Sequence, residues 1–176
     1  MKLDNQLKIL IVGLGLMGGS YAQGLSRRGF HVKAIDTNPD SISFAEENGY
    51  IEKGFCEIDG NAVGEADIIV FALYPHVFVK WIEENQHLFK PGAVLTDVTG
   101  VKECVVYKIQ EMLRPDVEFI AAHPMAGREV YGVRNADESI FRDANYIILL
   151  FLFVAFNTTI FGISNFIVLP PFCLFE

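Results

Sequence analysis

Apolar runs of strand length alternate along the chain with amphipathic stretches of helix length. The runs are apolar at most positions, which is typical of strands buried on both faces of a parallel sheet. Residues 51–66 show no clear period, and there we expect a short strand and an irregular crossover. The order of elements predicts a doubly wound α/β fold with a parallel sheet. We predict strands at residues 8–12, 31–35, 67–73, 93–98 and 117–122, and helices at residues 16–29, 38–50, 76–89 and 101–113.

The composition limits which binding partners and which cellular compartment we expect for this protein. A chain of 176 residues suits about one domain. Its formal net charge of −8 offers no basic surface, which argues against nucleic acid and against anionic membranes as partners. The three cysteines, Cys56, Cys104 and Cys173, form no C-x-x-C pair. We therefore expect neither a metal site nor a disulfide framework, and we predict a cytoplasmic protein.

A glycine-rich turn follows the first predicted strand and precedes the first predicted helix. In such a turn the first glycine makes a tight bend, the second lets a pyrophosphate approach the backbone, and the third lets the helix pack closely on the strand. The helix N-terminus then offers free N–H groups to the diphosphate. The residues that match this G-x-G-x-x-G pattern are Gly13, Leu14, Gly15, Leu16, Met17 and Gly18.

An acidic residue, Asp36, ends the second predicted strand, 18 positions after Gly18. At this place in a dinucleotide-binding unit, a carboxylate accepts hydrogen bonds from the ribose hydroxyls of the adenosine half, and its charge repels a 2′-phosphate. The glycine turn and Asp36 together predict a Rossmann domain that binds NAD in preference to NADP.

His123 stands at the end of the last predicted strand, before Pro124 and Gly127. Proline and glycine also close strands for conformational reasons alone, so a histidine here is more often structural than catalytic. However, a dinucleotide binds at the carboxyl ends of parallel strands, which is the edge where His123 lies. We therefore predict that His123 is catalytic, and we interpret the other histidines as surface or packing residues: His31, His76 and His87.

Five stretches of the chain match the pattern of a known family: VGLGLMGGS (12–20), IDTNPDS (35–41), TDVTGVK (96–102), HPMAGREVYGV (123–133) and ANYIIL (144–149). On these stretches the chain resembles the prephenate dehydrogenases of tyrosine biosynthesis. The resemblance implies a dinucleotide-binding domain at residues 1–149 and an oxidative decarboxylation: hydride passes from ring C4 of prephenate to NAD, the ring carboxylate leaves as CO2, and 4-hydroxyphenylpyruvate forms. It also allows an arogenate dehydrogenase, whose substrate differs by a side-chain amine. A non-catalytic, NAD-binding regulatory fragment is the alternative from another class.

The resemblance also assigns roles to individual residues. His123 takes the place of the family's catalytic histidine, which as neutral imidazole accepts a hydrogen bond from the C4 hydroxyl. Tyr74 and Pro75, which follow the predicted strand at residues 67–73, would line the nicotinamide side of the cleft. The loop at residues 98–100 would lie between the cofactor and the substrate. Besides the glycine turn and Asp36, the cofactor-binding residues implied are Thr37, Tyr74, Pro75 and Val98.

Position 100 departs from the family pattern. Many members have a serine there, whose hydroxyl assists the histidine, whereas this chain has Gly100. We predict that the neighbouring Thr99 supplies a hydroxyl instead. Arg128 and Glu129, which follow the histidine turn, are either rim residues of the substrate site or a solvated charge pair.

The C-terminal segment, residues 150–176, does not continue the family pattern. The resemblance implies a further helical domain that forms a homodimer and adds basic groups to the substrate site, but no charged residue occurs here from Ala144 to Phe175. The segment fits a membrane span at 147–169, an added strand pair (146–156 and 160–169) joined by the polar residues 157–159, or a changed reading frame near residue 149. We favour the third, because abundant Phe, Ile, Leu and Asn suit an AT-rich codon run.

Without the helical domain, the substrate site would be left with Arg128, which alone is a poor candidate for two carboxylates. Prephenate carries two carboxylates, and arginine is the side chain that best matches a carboxylate. We therefore expect the chain to bind NAD, to turn over prephenate weakly or not at all, and to self-associate through its apolar tail.

Overall fold

The structure is a computed structural model that describes residues 5–153 and 162–169. Strands and helices alternate through most of the described chain. The strands are β1 (Lys8–Val12), β2 (His31–Ile35), β3 (Lys53–Phe55), β4 (Ile68–Phe71), β5 (Val94–Asp97), β6 (Glu118–Pro124), β7 (Tyr146–Phe153) and β8 (Gly162–Leu169). The helices are α1 (Leu16–Arg27), α2 (Pro39–Glu47), α3 (Gly60–Glu65), α4 (Pro75–Asn85) and α5 (Glu103–Met112), with 3₁₀ turns at Gln86–Leu88, Val133–Asn135 and Glu138–Phe141.

The described strands form one sheet in the order β3-β2-β1-β4-β5-β6-β7-β8. Strands β1 to β6 run parallel, while β7 is antiparallel to β6 and β8 is antiparallel to β7. The predicted doubly wound Rossmann fold is therefore confirmed, with an antiparallel extension at one edge. The strand order reverses between β1 and β4, and this reversal opens the crevice in which such sheets bind ligands.

The connection between β6 and β7 accounts for the antiparallel extension. Residues 125–145 fold over α1 as loop and 3₁₀ turns. Asp137 N donates to Ser20 Oγ at 3.0 Å, and Glu138 N donates to Gln23 Oε1 at 2.7 Å. A parallel neighbour would need a crossover to the opposite end of the sheet. Because this segment is held on α1 instead, β7 returns antiparallel to β6.

Residues 51–66 are more regular than expected. They contain β3 and then α3, where the sequence pattern suggested an irregular crossover. Asp59 caps α3, since its carboxylate accepts a hydrogen bond from Ala62 N at 2.7 Å. A helix of 6 residues is too short to display a helical period, which explains why the pattern failed to predict it.

Two apolar clusters cover the two faces of the sheet. On one face, Phe71 of β4 packs against Phe78 and Trp81 of α4, with ring centroids 4.6 and 5.1 Å from its own. On the other face, Tyr21 of α1 and Ile42 of α2 pack over β1 and β2. Burial on both faces fixes the central strands, and with them the positions of their carboxyl ends.

The strand-pair interpretation of the C-terminal segment matches the described residues. β7 begins at Tyr146, runs through the predicted domain boundary between residues 149 and 150, and pairs with β8 from Tyr146↔Leu169 to Phe153↔Gly162. Residues 154–161, which include the predicted polar turn, lie outside the described residues. Over the described ranges, no helix has both the length and the apolar character needed to cross a bilayer.

A hydrogen-bonded pair of tyrosines, of which Tyr21 is buried and Tyr146 partly buried, anchors β7 to α1. Tyr21 OH donates a hydrogen bond to Tyr146 OH at 2.8 Å. Burial raises the pKa of both phenols above the ordinary value, and the nearby negative charge of Asp97 acts in the same direction. Both phenols therefore keep their protons at neutral pH. The pair holds the strand next to β6 against the first helix.

Candidate active site

The predicted site residues all lie at the carboxyl edge of the parallel strands. The glycine turn follows β1, Asp36 follows β2, Tyr74 follows β4, Thr99 follows β5, and His123 lies near the end of β6. Parallel strands bring such residues to one edge because they all run in the same direction. The structure thus brings the predicted cofactor residues and the predicted catalytic histidine to one edge, together with their chain neighbours Thr37, Pro75 and Val98.

Close contacts explain two glycines of the turn after β1. Gly13 has a φ of +96°, in the left-handed region, and a Cβ there would lie 2.6 Å from Ala72 O. A Cβ at Gly18 would lie 1.8 Å from Gly13 O, so α1 packs closely on the turn, as the motif predicts. At Gly15, by contrast, no described atom lies within 4 Å of an added Cβ. The turn is tight on its protein side and open at Gly15, where a phosphate would approach.

Asp36 is already bound to the glycine turn. Its Oδ2 accepts a hydrogen bond from Leu14 N at 2.5 Å, and its Oδ1 accepts one from Asn38 N at 2.8 Å. The Leu14 side chain is buried in the core, so only its backbone belongs to the site. Helix α1 then begins at Leu16, followed by Met17, and no side chain of the described residues caps it. Its first N–H groups are therefore available to an anion.

Tyr74 presents an aromatic face at the crevice. It precedes the first residue of α4, Pro75, and its side chain is 73% exposed. Its ring lies nearly parallel to that of His76, at an interplanar angle of 17°. An exposed aromatic face in this place can stack on another flat ring. His76 is exposed, as are His31 and His87, in agreement with their interpretation as surface residues.

The His123 imidazole is half-buried beside Gly100. A Cβ added at Gly100 would lie 3.4 Å from the imidazole Cε1 and 3.9 Å from each ring nitrogen. Nδ1 is buried and has no hydrogen-bond partner in the described part of the chain. Such a nitrogen has lost its water without gaining a partner, which costs free energy. A side chain at position 100 would therefore lie against the Cε1 edge of the imidazole, equally close to the unpartnered Nδ1 and to Nε2.

The Thr99 hydroxyl makes different contacts from those expected. The sequence predicts that it replaces the missing serine hydroxyl beside His123. In the structure it donates to the Asp97 carboxylate, and no hydrogen bond between Thr99 and His123 is present among the described residues. The reason is that the buried Asp97 carboxylate requires donors, and Thr99 is two residues away from it.

A buried ion pair lies beside the histidine strand. The Asp97 carboxylate is fully buried, and its two oxygens lie 2.7 and 2.6 Å from Lys102 Nζ. Burial lowers the pKa of the Lys102 ammonium, and the charge of Asp97 opposes that shift. Sequence reasoning did not identify this pair. Asp36 also follows a strand and stays half-exposed, so a strand-end aspartate alone carries no signal of burial.

A wide depression of about 660 Å³ opens beside His123. It lies between the loop that follows β6 and the segment that precedes β7. The described residues contain no cluster of acidic, histidine and cysteine side chains that could hold a metal ion. The depression is lined by His123, Pro124, Met125, Ala126, Gly127, Arg128, Glu129, Ile140, Arg142, Asp143 and Ala144.

Two arginine residues, Arg128 and Arg142, line this depression. Arg128 donates to Asn135 O at 2.7 Å and lies 3.7 Å from the Asp137 carboxylate, and within the described part of the chain no ion pair joins it to Glu129. Arg142 is exposed on the other wall. The sequence did not predict a role for Arg142, because only the return of the chain along β7 brings it near the histidine.

The fold, the open glycine turn and the edge carboxylate define a dinucleotide-binding domain of the Rossmann class. The family model described as "Prephenate dehydrogenase, nucleotide-binding domain" matches residues 21–149. The chain therefore belongs to the prephenate dehydrogenase family.

Individual relatives agree with this assignment. The prephenate dehydrogenase of Bacillus subtilis strain 168 is 33% identical over 150 residues, which cover 82% of this chain and 40% of the relative. The crystal structure of Synechocystis arogenate dehydrogenase has a TM-score of 0.74 and 28% identity, covering 81% of this chain and 49% of that one. The prephenate dehydrogenase from Aquifex aeolicus, in complex with hydroxyphenyl propionate and NAD+, has a TM-score of 0.73 and 29% identity, covering 84% and 51%. The chain thus spans less than two thirds of the length of each.

The glycine turn allows a matched pair of substitutions. Gly18→Ala places a Cβ against Gly13 O and should lower the free energy of unfolding by about 1–3 kcal/mol, since overpacking forces the backbone to shift. Gly15→Ala adds a methyl group in open space and should leave stability within about 0.5 kcal/mol, while weakening dinucleotide binding. Urea unfolding and titration calorimetry measure the two effects. Equal loss of stability in both variants would contradict the geometry of the turn.

Proposed function

We propose that the chain binds NAD across the carboxyl ends of β1, β2 and β4. The open face of Gly15 and the uncapped start of α1 fit a diphosphate. Asp36 keeps lone pairs for the ribose hydroxyls after accepting from Leu14 and Asn38. Tyr74 and Pro75 would lie along the nicotinamide, with Thr37 near the ribose and Val98 on the substrate side.

We further propose NAD-dependent oxidative decarboxylation of prephenate to 4-hydroxyphenylpyruvate. The single observation that carries this proposal is the position of His123, at the edge that holds the glycine turn and on the wall of a depression wide enough for a small ring. When bound, NAD accepts the hydride that leaves ring C4. The neutral His123 imidazole accepts a hydrogen bond from the C4 hydroxyl, which favours the developing carbonyl. The ring carboxylate departs as CO2, leaving its bonding electrons in the ring.

Arg142 and Arg128 are the residues that we propose for the substrate carboxylates. Both line the depression that contains His123. Arg142 is an exposed residue, and a guanidinium can bind a carboxylate through two parallel N–H groups. The expectation that Arg128 would stand alone is thereby changed, since the depression offers a second cation from this chain.

Arogenate is the second candidate substrate, because a solved structure with a similar fold is an arogenate dehydrogenase. The test is NADH formation by the whole chain, followed by absorbance, with prephenate and then with arogenate. We expect slow turnover of prephenate and slower turnover of arogenate. Residues 1–149 would act as the dinucleotide-binding unit, and the apolar segment 150–176 would join copies of the chain. NAD binding without turnover of either compound would favour a regulatory fragment.

Asp36 should set the preference for NAD over NADP. Asp36→Ser removes hydrogen bonds to the ribose, each worth about 1.5–3 kcal/mol when made to a charged group, so NAD affinity should fall at least about tenfold. The loss of negative charge should also bring NADP affinity closer to that of NAD. Calorimetry with both dinucleotides measures this. Asp40→Ser removes an exposed carboxylate in the first turn of α2 and should change neither affinity; tighter binding of NADP than of NAD by the unaltered chain would contradict the assignment.

His123 should act in the chemical step and not in cofactor binding. His123→Asn should lower the turnover number by about 10²–10⁴, the usual contribution of a positioned acid or base, with little change in NAD affinity. His87→Asn alters an exposed histidine of a distant 3₁₀ turn and should keep full activity. Full activity of His123→Asn would leave this histidine with a structural role only.

Gly100→Ser should increase turnover. The added Cβ fits in ordinary van der Waals contact with the imidazole, and the hydroxyl can then pair with a ring nitrogen. A gained hydrogen bond of about 1 kcal/mol corresponds to roughly a fivefold faster reaction if it acts in the transition state. Gly100→Ala adds the carbon without the hydroxyl and should give no gain. An equal response of the two variants would exclude a role for the hydroxyl.

A further inference from the structure

The buried Asp97 carboxylate binds the strand that carries His123. Its Oδ1 accepts a hydrogen bond from Ala122 N at 3.1 Å, and its Oδ2 accepts one from Thr99 N at 3.1 Å. The same carboxylate is bridged by Lys102 Nζ. Asp97 therefore joins the end of β5, the segment that follows it, and the backbone of β6 at the residue before His123.

Lys102 completes this arrangement from the other side. Its Nζ donates to Ala122 O as well as to Asp97. Both peptide groups of Ala122 are thus fixed, the N–H by the carboxylate and the C=O by the ammonium. The Lys102 side chain is only 13% exposed, and its donors are directed at these acceptors. It is therefore poorly placed to bind a substrate carboxylate in the depression.

We infer that Asp97 and Lys102 are positioning residues for His123: together they hold the backbone from which the imidazole projects, and their opposite charges cancel beside it. This inference rests on the proposed function, in which a neutral imidazole is required. Neither residue is assigned contact with the substrate. Alone, the carboxylate would favour the protonated imidazole, and alone, the ammonium would disfavour it.

Other charged groups surround His123 and stay constant in the test. The loop after β6 contributes Arg128 and Glu129, and the segment before β7 contributes Arg142 and Asp143. The phenol of Tyr146 on β7 keeps its proton, because burial raises its pKa. Variants at Asp97 and Lys102 leave all of these groups in place, so a difference between such variants reports the pair alone.

The experiment measures the titration midpoint of the His123 imidazole by NMR on the whole chain with labelled histidines. The chain has 4 histidines, and the signal that disappears in His123→Asn identifies the one of interest. Lys102→Gln should raise the midpoint and Asp97→Asn should lower it, each by about half a pH unit or more, because each leaves one charge uncompensated. Both substitutions keep a polar group in place of the charged one. The double variant should return close to the unaltered midpoint.

The control is a second ion pair, between Lys90 and Asp67. It lies at the amino-terminal ends of the strands, next to the start of β4, whereas His123 lies at the carboxyl ends. Lys90→Gln should leave the His123 midpoint unchanged. If one of the two single variants does not fold, the other still tests the sign of the shift predicted for it. The double variant buries no net charge, and it tests whether the two effects cancel.

Shifts of opposite sign that cancel in the double variant would support the inference. Shifts of the same sign, no shift, or an equal shift in Lys90→Gln would overturn it. The readout needs neither substrate nor NAD, so it is independent of turnover. A chain that gives the expected shifts but oxidises neither prephenate nor arogenate would overturn the proposed function and not the electrostatic effect of the pair.

Discussion

A fully buried carboxylate at the end of a central strand restricts everything around it. Asp97 has no exposed surface, so it must obtain its hydrogen bonds from the protein, and it obtains them from Thr99, Lys102 and Ala122. These partners belong to the segment after β5 and to β6. Removal of one partner from such a group is far more costly than an ordinary surface change, because an uncompensated buried charge remains. The spacing between β5 and β6, the path of residues 98–102 and the orientation of the histidine strand are thereby determined together.

The nucleotide half of the site depends on contacts of a simpler kind. Gly13 and Gly18 touch within one turn, and Asp36 reaches Leu14 across the neighbouring strand. Each of these contacts follows once β1 and β2 lie side by side in register, and that pairing is already specified by two apolar runs of equal length. The half of the site around His123 is different, because its geometry depends on β5, β6 and β7 meeting after long connections. A local motif therefore determines where a dinucleotide would lie, whereas tertiary packing determines which side chains lie opposite the dinucleotide.

This difference explains which features could be predicted from the sequence. The alternating elements, the glycine turn, Asp36 and the edge position of His123 follow from period and spacing, and all of them appear in the structure. The helix α3 was not predicted because it is shorter than two turns, and the antiparallel return of β7 was not predicted because it depends on contacts between residues 137–138 and α1. Thr99 was expected to face His123, but its hydroxyl donates a hydrogen bond to the strongest acceptor nearby, which is the Asp97 carboxylate. Arg142 reaches the depression only through the same antiparallel return.

Charge is the last constraint, and it acts on two length scales. The chain carries a formal net charge of −8, which repels a dianionic substrate at long range. At physiological ionic strength such repulsion is screened beyond about 8 Å, so the groups within the depression control binding. In the depression, the positive charges of Arg128 and Arg142 are offset by the negative charges of Glu129 and Asp143. The charge of Asp97 is compensated by its ion pair with Lys102. Under the proposed function, an acidic protein can accept an acidic substrate because Lys102 compensates the buried Asp97 carboxylate and because Arg142 is exposed in the depression.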